Sequence, residues 1–281
     1  MTQDTVSQEL WTKVDGYFNE MLVPEDAALE EALARSRDAG LPEIQVAPNQ
    51  GKLLHLLARA QGARRILEIG TLGGYSTIWL ARALPLGGRL VTLEFEPKHA
   101  EVARANLARA DLDDVVQVRV GKALDLLPAL ATEKPEPFDL IFIDADKQST
   151  TEYFEWALRL SRRGSLIIVD NVVRDGEVAN PASVDPMVLG MRRFFARLAR
   201  EPKVTATALQ TVGVKRHDGL AIALVIEGQA HAGALSCPPL SRSRRARNRR
   251  WRRRVHSTRG PHAACVSRWR IRNVHIRFDL L

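Results

Sequence analysis

Arg65-Ile66-Leu67-Glu68-Ile69-Gly70-Thr71-Leu72-Gly73-Gly74-Tyr75-Ser76 decides the fold. A short apolar run ends in a turn with three glycines, and a helical pattern begins at Ser76. Glycines at such a point let the backbone turn tightly and approach something a side chain would exclude. The same strand-then-helix alternation continues downstream. Apolar runs at 65–69, 89–94, 115–120, 138–144 and 165–170 read as strands, with helices near 76–84, 98–110, 124–130 and 151–160. That alternation predicts a parallel sheet covered on both faces, a doubly wound α/β fold. After a helix at about 184–200, strands at 204–209 and 220–226 are joined by too few residues for a crossover helix, so this last pair is expected to be antiparallel.

Upstream, Trp11, Val14, Phe18 and Met21 recur at helical spacing, and a second helical stretch follows Pro24. A third helix is expected to start at Pro48, carry Leu53, Leu54, Leu56 and Leu57, and stop at Gly62. No internal repeat is present.

With 281 residues and 45% hydrophobic content the chain can build a sizeable core. No run approaches the roughly 18 apolar residues of a membrane span, and MTQDTVSQELW lacks the parts of a signal peptide, so a cytoplasmic location is expected. The net charge of +8 suggests nucleic acid until it is located along the chain. Residues 228–281 hold 14 arginines, no lysine and one acid, Asp279, giving +13; the remaining 227 residues therefore carry 8 − 13 = −5. Cys237 and Cys265 both lie in that tail, so the body offers neither a disulfide nor a thiolate.

In open α/β sheets ligands sit beyond the carboxyl ends of the strands. Glu94 closes the second strand, where a carboxylate can accept the two hydroxyls of a ribose. The spacing Gly70-x-x-Gly73-Gly74 departs from the G-x-G-x-x-G of pyrophosphate binders, which disfavours a nicotinamide dehydrogenase. A cofactor with an ammonium and a carboxylate suits an acid such as Glu68 and a donor such as Ser76. The fourth strand ends in Asp144-Ala145-Asp146-Lys147 and the fifth in Asp170-Asn171. Asp144, Asp170 and Asn171 would supply three hard oxygen ligands, which points to Mg²⁺, Mn²⁺ or Ca²⁺. Any one of these acids alone is explained as a strand-end carboxylate; two acidic clusters closing consecutive strands are harder to explain that way. Lys147 lies close enough in sequence to reach a hydroxyl bound to such an ion.

Together ILEIGTLGGYST, VTLEFEP, FIDADK and VDNVVRDGEV resemble the cation-dependent O-methyltransferases, the family of caffeoyl-CoA and catechol O-methyltransferases, over residues 5–227. The resemblance implies a Rossmann-like class I methyltransferase fold: a seven-stranded sheet with a reversed last strand. It also implies S-adenosylmethionine as donor, attack by a phenolic oxygen of a small catechol-like acceptor on the sulfonium methyl, and a homodimer. By matched position Val46, Glu68, Gly70, Thr71, Ser76, Glu94 and Ala123 resemble cofactor contacts, with Asp144 near the cofactor. Asp144, Asp170 and Asn171 resemble the ligands of a divalent cation, Mg²⁺ first among them. Lys147 resembles the base, with Asp144 beside it in the catalytic set. His217-Asp218-Gly219-Leu220 resembles a short turn before the last strand.

The tail from residue 228 departs from the family pattern. Arginine without lysine and without hydrophobic period is expected to be a disordered extension, accidental or of electrostatic use. The competing readings are a nucleic-acid-binding protein using that tail, or a nucleic-acid base methyltransferase. Against the latter, Asn180-Pro181 is followed by Ala182, not by the Pro-aromatic pair that amino methylation uses.

Overall fold

The computed structural model describes residues 3–24, 26–133 and 136–228. Expectations for the arginine-rich tail lie, from residue 229 onward, outside the described residues. Three helices open the chain: α1 (Gln3–Leu22), α2 (Ala27–Asp38) and α3 (Pro48–Gln61). There follow β1 (Arg65–Ile69), α4 (Tyr75–Ala81), β2 (Arg89–Glu94), α5 (Pro97–Arg109), β3 (Val116–Val120), α6 (Ala123–Thr132) and β4 (Phe138–Ile143). The rest is α7 (Thr150–Leu160), β5 (Ser161–Asp170), α8 (Pro186–Leu198), β6 (Val204–Gly213) and β7 (Arg216–Val225).

The strands form one seven-stranded sheet in the order β3-β2-β1-β4-β5-β7-β6. Neighbours from β3 to β5 are parallel, while β7 runs antiparallel to both β5 and β6. This is the doubly wound sheet with a reversed last strand that the sequence predicts. Strand order reverses between β1 and β4, so the ligand crevice belongs at their carboxyl ends. The two-residue period divides each strand between two cores. Leu67, Ile69, Val91, Leu93, Ile141 and Ile143 face Leu127, Phe154, Met191 and Phe194 of α6, α7 and α8. Ile66, Leu90, Leu140, Phe142 and Ile168 face Leu54, Ile78 and Leu80, from α3 and α4. Pro48 opens α3 and Gly62, left-handed at φ 65°, ends it, as its sequence signals.

The α1 helix forms as its spacing predicts, yet Val14, Phe18 and Met21 are 41%, 45% and 62% exposed, and among its described side chains the buried one is Asp15. Its carboxylate accepts hydrogen bonds from Asn49 Nδ2 (2.8 Å) and the Val214 amide (2.7 Å), tying α1 to α3 and to the hairpin. One expectation is corrected: His217-Asp218-Gly219-Leu220 does not form the last turn. Those residues lie inside β7, paired to Val212, Thr211, Gln210 and Leu209. The hairpin turns one step earlier, at Val214 and Lys215, where Arg216 takes φ 73°.

Candidate active site

At the strand ends of β1, β2, β4 and β5 lies a cavity of about 1100 Å³. That volume exceeds the few hundred cubic ångströms a single small ligand occupies, leaving room for two. It is lined by Val46, Gly70, Thr71, Ser76, Glu94 and Ala123. Asp144, Lys147, Asp170 and Asn171 also line it. Every site residue expected from the sequence except Glu68 therefore meets in one place.

Gly70 has a structural reason that the sequence did not reveal. At φ 101° it approaches β4 so closely that a Cβ would overlap the carbonyl oxygen of Asp144, so its bareness serves strand packing as well as ligand access. Leu72, a non-glycine at φ 51°, is held there by Glu94. One Glu94 oxygen accepts the amides of Thr71 (3.1 Å) and Leu72 (2.7 Å), and the other accepts that of Glu96 (2.9 Å). The carboxylate thus clamps the glycine turn from beneath while it faces the cavity. Asn106 of α5, which sequence reasoning missed, donates from its buried amide to the Gly73 carbonyl (2.9 Å).

Glu68 stands behind the wall, not in it. It shares the face of Ile66, is fully buried, and accepts from Ser76 (2.7 Å), Thr77 (2.5 Å) and Thr92 (2.7 Å) hydroxyls. Burial pushes its carboxyl up to about 7 despite those donors. It is linked to the cavity wall through the Ser76 hydroxyl and, by way of Thr92, through that of Thr71.

Asp170 is 3% exposed, with one oxygen accepting from the Asn171 amide (2.7 Å) and the other from Gln50 Nε2 (2.6 Å). Burial and then the charge of Asp144 push its carboxyl well above the usual range, and Lys147 only partly opposes them. Asn171 adopts φ 55°, a left-handed conformation that asparagine tolerates better than most residues. A buried carboxylate, Asp170, and a half-buried one, Asp144, that repel one another beside Asn171 fit a hard divalent cation. Among the described residues no set of three or more His, Cys, Asp or Glu forms a rival metal site.

Lys147 is 6% exposed and its Nζ donates to Asp144 Oδ1 at 2.9 Å. Its short turn is fixed from several directions. Asp146 accepts the Ser149 amide (2.9 Å) and the Tyr153 hydroxyl, and Arg193 donates to the Gln148 carbonyl (2.8 Å). Gly190 of α8 packs on the Lys147 carbonyl so tightly that a Cβ would overlap it. A glycine in mid-helix costs about 1 kcal/mol relative to alanine, and that cost was the available signal for this contact. Gln50, a helix residue among leucines, gave no comparable signal.

The O-methyltransferase family model matches residues 19–226. The chain is 56% identical over 220 residues to the catechol O-methyltransferase of Niastella koreensis, covering 78% of this chain and 100% of that one. Among solved structures, the O-methyltransferase from Bacillus cereus in complex with SAH is similar at 60% identity and a TM-score of 0.76, over 77% of this chain and 99% of that one. The O-methyltransferase TomG from Streptomyces achromogenes, involved in tomaymycin synthesis and solved with SAM, is 53% identical with a TM-score of 0.76, covering 80% of this chain and 100% of that one. The chain belongs to the O-methyltransferase family, enzymes that take their methyl group from S-adenosylmethionine.

Proposed function

We propose that the protein transfers the methyl group of S-adenosylmethionine to one hydroxyl of a small catechol-like phenol, with a divalent cation, Mg²⁺ foremost, at Asp144, Asp170 and Asn171. The observation that carries this reading is the meeting of Lys147 and those three oxygen donors in the cavity that also receives the glycine turn. The catechol O-methyltransferase name of a relative covered in full supports the acceptor class. Glu94 holds the ribose hydroxyls; Ser76, oriented by Glu68, faces the methionine end of the cofactor. Gly70, Thr71, Val46 and Ala123 shape the walls around it.

A bound divalent cation would polarise an adjacent hydroxyl and lower its pKa. Lys147 takes the proton of that hydroxyl on Nζ. The freed oxygen attacks the methyl carbon, the carbon–sulfur bond breaks, and S-adenosylhomocysteine leaves with the sulfur's electron pair. Burial of the lysine and its fixed turn hold the amine at the reacting oxygen, so orientation is settled before the acceptor arrives.

The test is S-adenosylhomocysteine release with a panel of catechols and their singly hydroxylated counterparts. Vicinal diols should turn over and single phenols should lag far behind. Equal rates on both would remove the chelation chemistry from the proposal.

We further propose that the working unit is a homodimer. Leu10, Tyr17, Met21 and Leu22 of α1 are 58–68% exposed, and Leu53 and Leu56 add apolar surface on α3. A monomer rarely leaves such a face open to water.

A further inference from the structure

Arg174 lines the cavity four residues beyond Asp170, in the loop after β5. Arg174 and Asp175 take φ 57° and 54°, two consecutive non-glycine residues in the left-handed region. Each costs on the order of 1 to 2 kcal/mol, so the loop needs support. Asp218 provides it: one oxygen accepts the amides of Val173 (3.0 Å), Arg174 (3.2 Å) and Gly219 (3.0 Å). Strain maintained in this way at a cavity wall is a mark of a functional position.

The guanidinium held there has little to bind. Its Nε is sealed from solvent without a hydrogen-bond partner, and Nη2 reaches only the Met187 sulfur at 3.3 Å. Among the described residues no carboxylate lies within ion-pair distance of it, whereas Arg216 nearby pairs with Asp175 at 3.4 Å. The two strand-end acids proposed as metal ligands are already engaged: Asp144 by Lys147, Asp170 by Gln50 and the Asn171 amide. A half-buried guanidinium whose Nε is cut off from water without a partner is costly unless an anion completes it, and its planar fork matches a carboxylate.

We propose that Arg174 recognises a carboxylate on the methyl acceptor, so that the preferred substrates are carboxylated catechols. The inference rests on the catechol reading above and adds the substituent that the enzyme selects. Arg174 here is a specificity-determining residue; it takes no part in moving the proton or the methyl group.

The experiment compares kcat/KM for a dihydroxybenzoate and the corresponding dihydroxybenzamide, which differ in charge but hardly in shape. Wild type should favour the acid by roughly ten- to a hundredfold, the worth of one charge-assisted contact. Arg174→Gln should bring the ratio close to one, and Arg174→Lys should retain part of the preference. A wild-type ratio near one, or a ratio that Arg174→Gln leaves unchanged, would overturn the assignment. Calorimetric binding of the same acid and amide to wild type and Arg174→Gln saturated with S-adenosylhomocysteine gives the answer without turnover. If neither compound is methylated, the catechol reading fails, while the binding ratio still decides the role of Arg174.

Discussion

Glu68→Gln should remove a pH dependence of stability that the wild type carries. Moving the Glu68 carboxyl from its ordinary 4.5 to about 7 ties roughly 3 kcal/mol of folding free energy to its proton, at 1.36 kcal/mol per pKa unit. The folded state holds that proton more tightly than the unfolded state. The contribution is therefore fully present below about pH 4.5 and is lost as pH rises through about 7. Glutamine keeps the shape and the neutral state, so the variant should be spared this loss. Urea unfolding followed by tryptophan fluorescence, for both proteins without cofactor at about pH 5 and about pH 8, gives the double difference. Taking a denaturant sensitivity of about 3 kcal/mol per molar, the wild-type midpoint should fall by roughly 1 M more than that of the variant. Asp170, also raised by burial, titrates in both proteins and cancels. Equal pH dependence in the two would show that Glu68 is not the sealed carboxyl described above.

Lys147→Met should lower turnover by about 10² to 10⁴, the usual range for a positioned base, and a nitro-substituted catechol with its more acidic hydroxyl should lose less than catechol itself. Equal losses with both would argue against proton transfer to Lys147. In light scattering the chain should run at about twice 31.3 kDa, and the pair Tyr17→Glu with Met21→Glu should halve that mass; a wild-type monomer would refute the dimer. A chain ending at Glu227 should keep its thermal midpoint and turnover and lose only its affinity for polyanions, as a gel-shift titration would show.

Legibility followed the physics of each element. The bounds of β1 and β2 could be read to the residue, because apolar runs, each broken once, by Glu68 and by Thr92, end at Gly70 and Glu94. The hairpin was misread for the opposite reason. The body of β6 is exposed from Thr205 to Val212, so no alternation marks its length, and Asp218-Gly219 has the composition of a turn while serving as a ladder. Strand-end acids could be picked out because a parallel sheet delivers all its carboxyl ends to one edge. Glu68 illustrates the limit of that rule: it precedes Gly70 by two residues, and strand parity turns it into the core beside Thr77 and Thr92. Gln50, Asp15 and Arg174 come from helices and a strained loop, where no spacing announces a cavity wall.

Methyl transfer itself, measured with isotope-labelled S-adenosylmethionine and catechol before and after metal stripping, tests the central claim most directly. The label should appear on one catechol oxygen, vanish with a chelator, and return with Mg²⁺, whereas Asp170→Ala should need far more metal for the same rate. Undiminished transfer in metal-stripped protein, or no transfer to any vicinal diol with metal restored, would contradict the account.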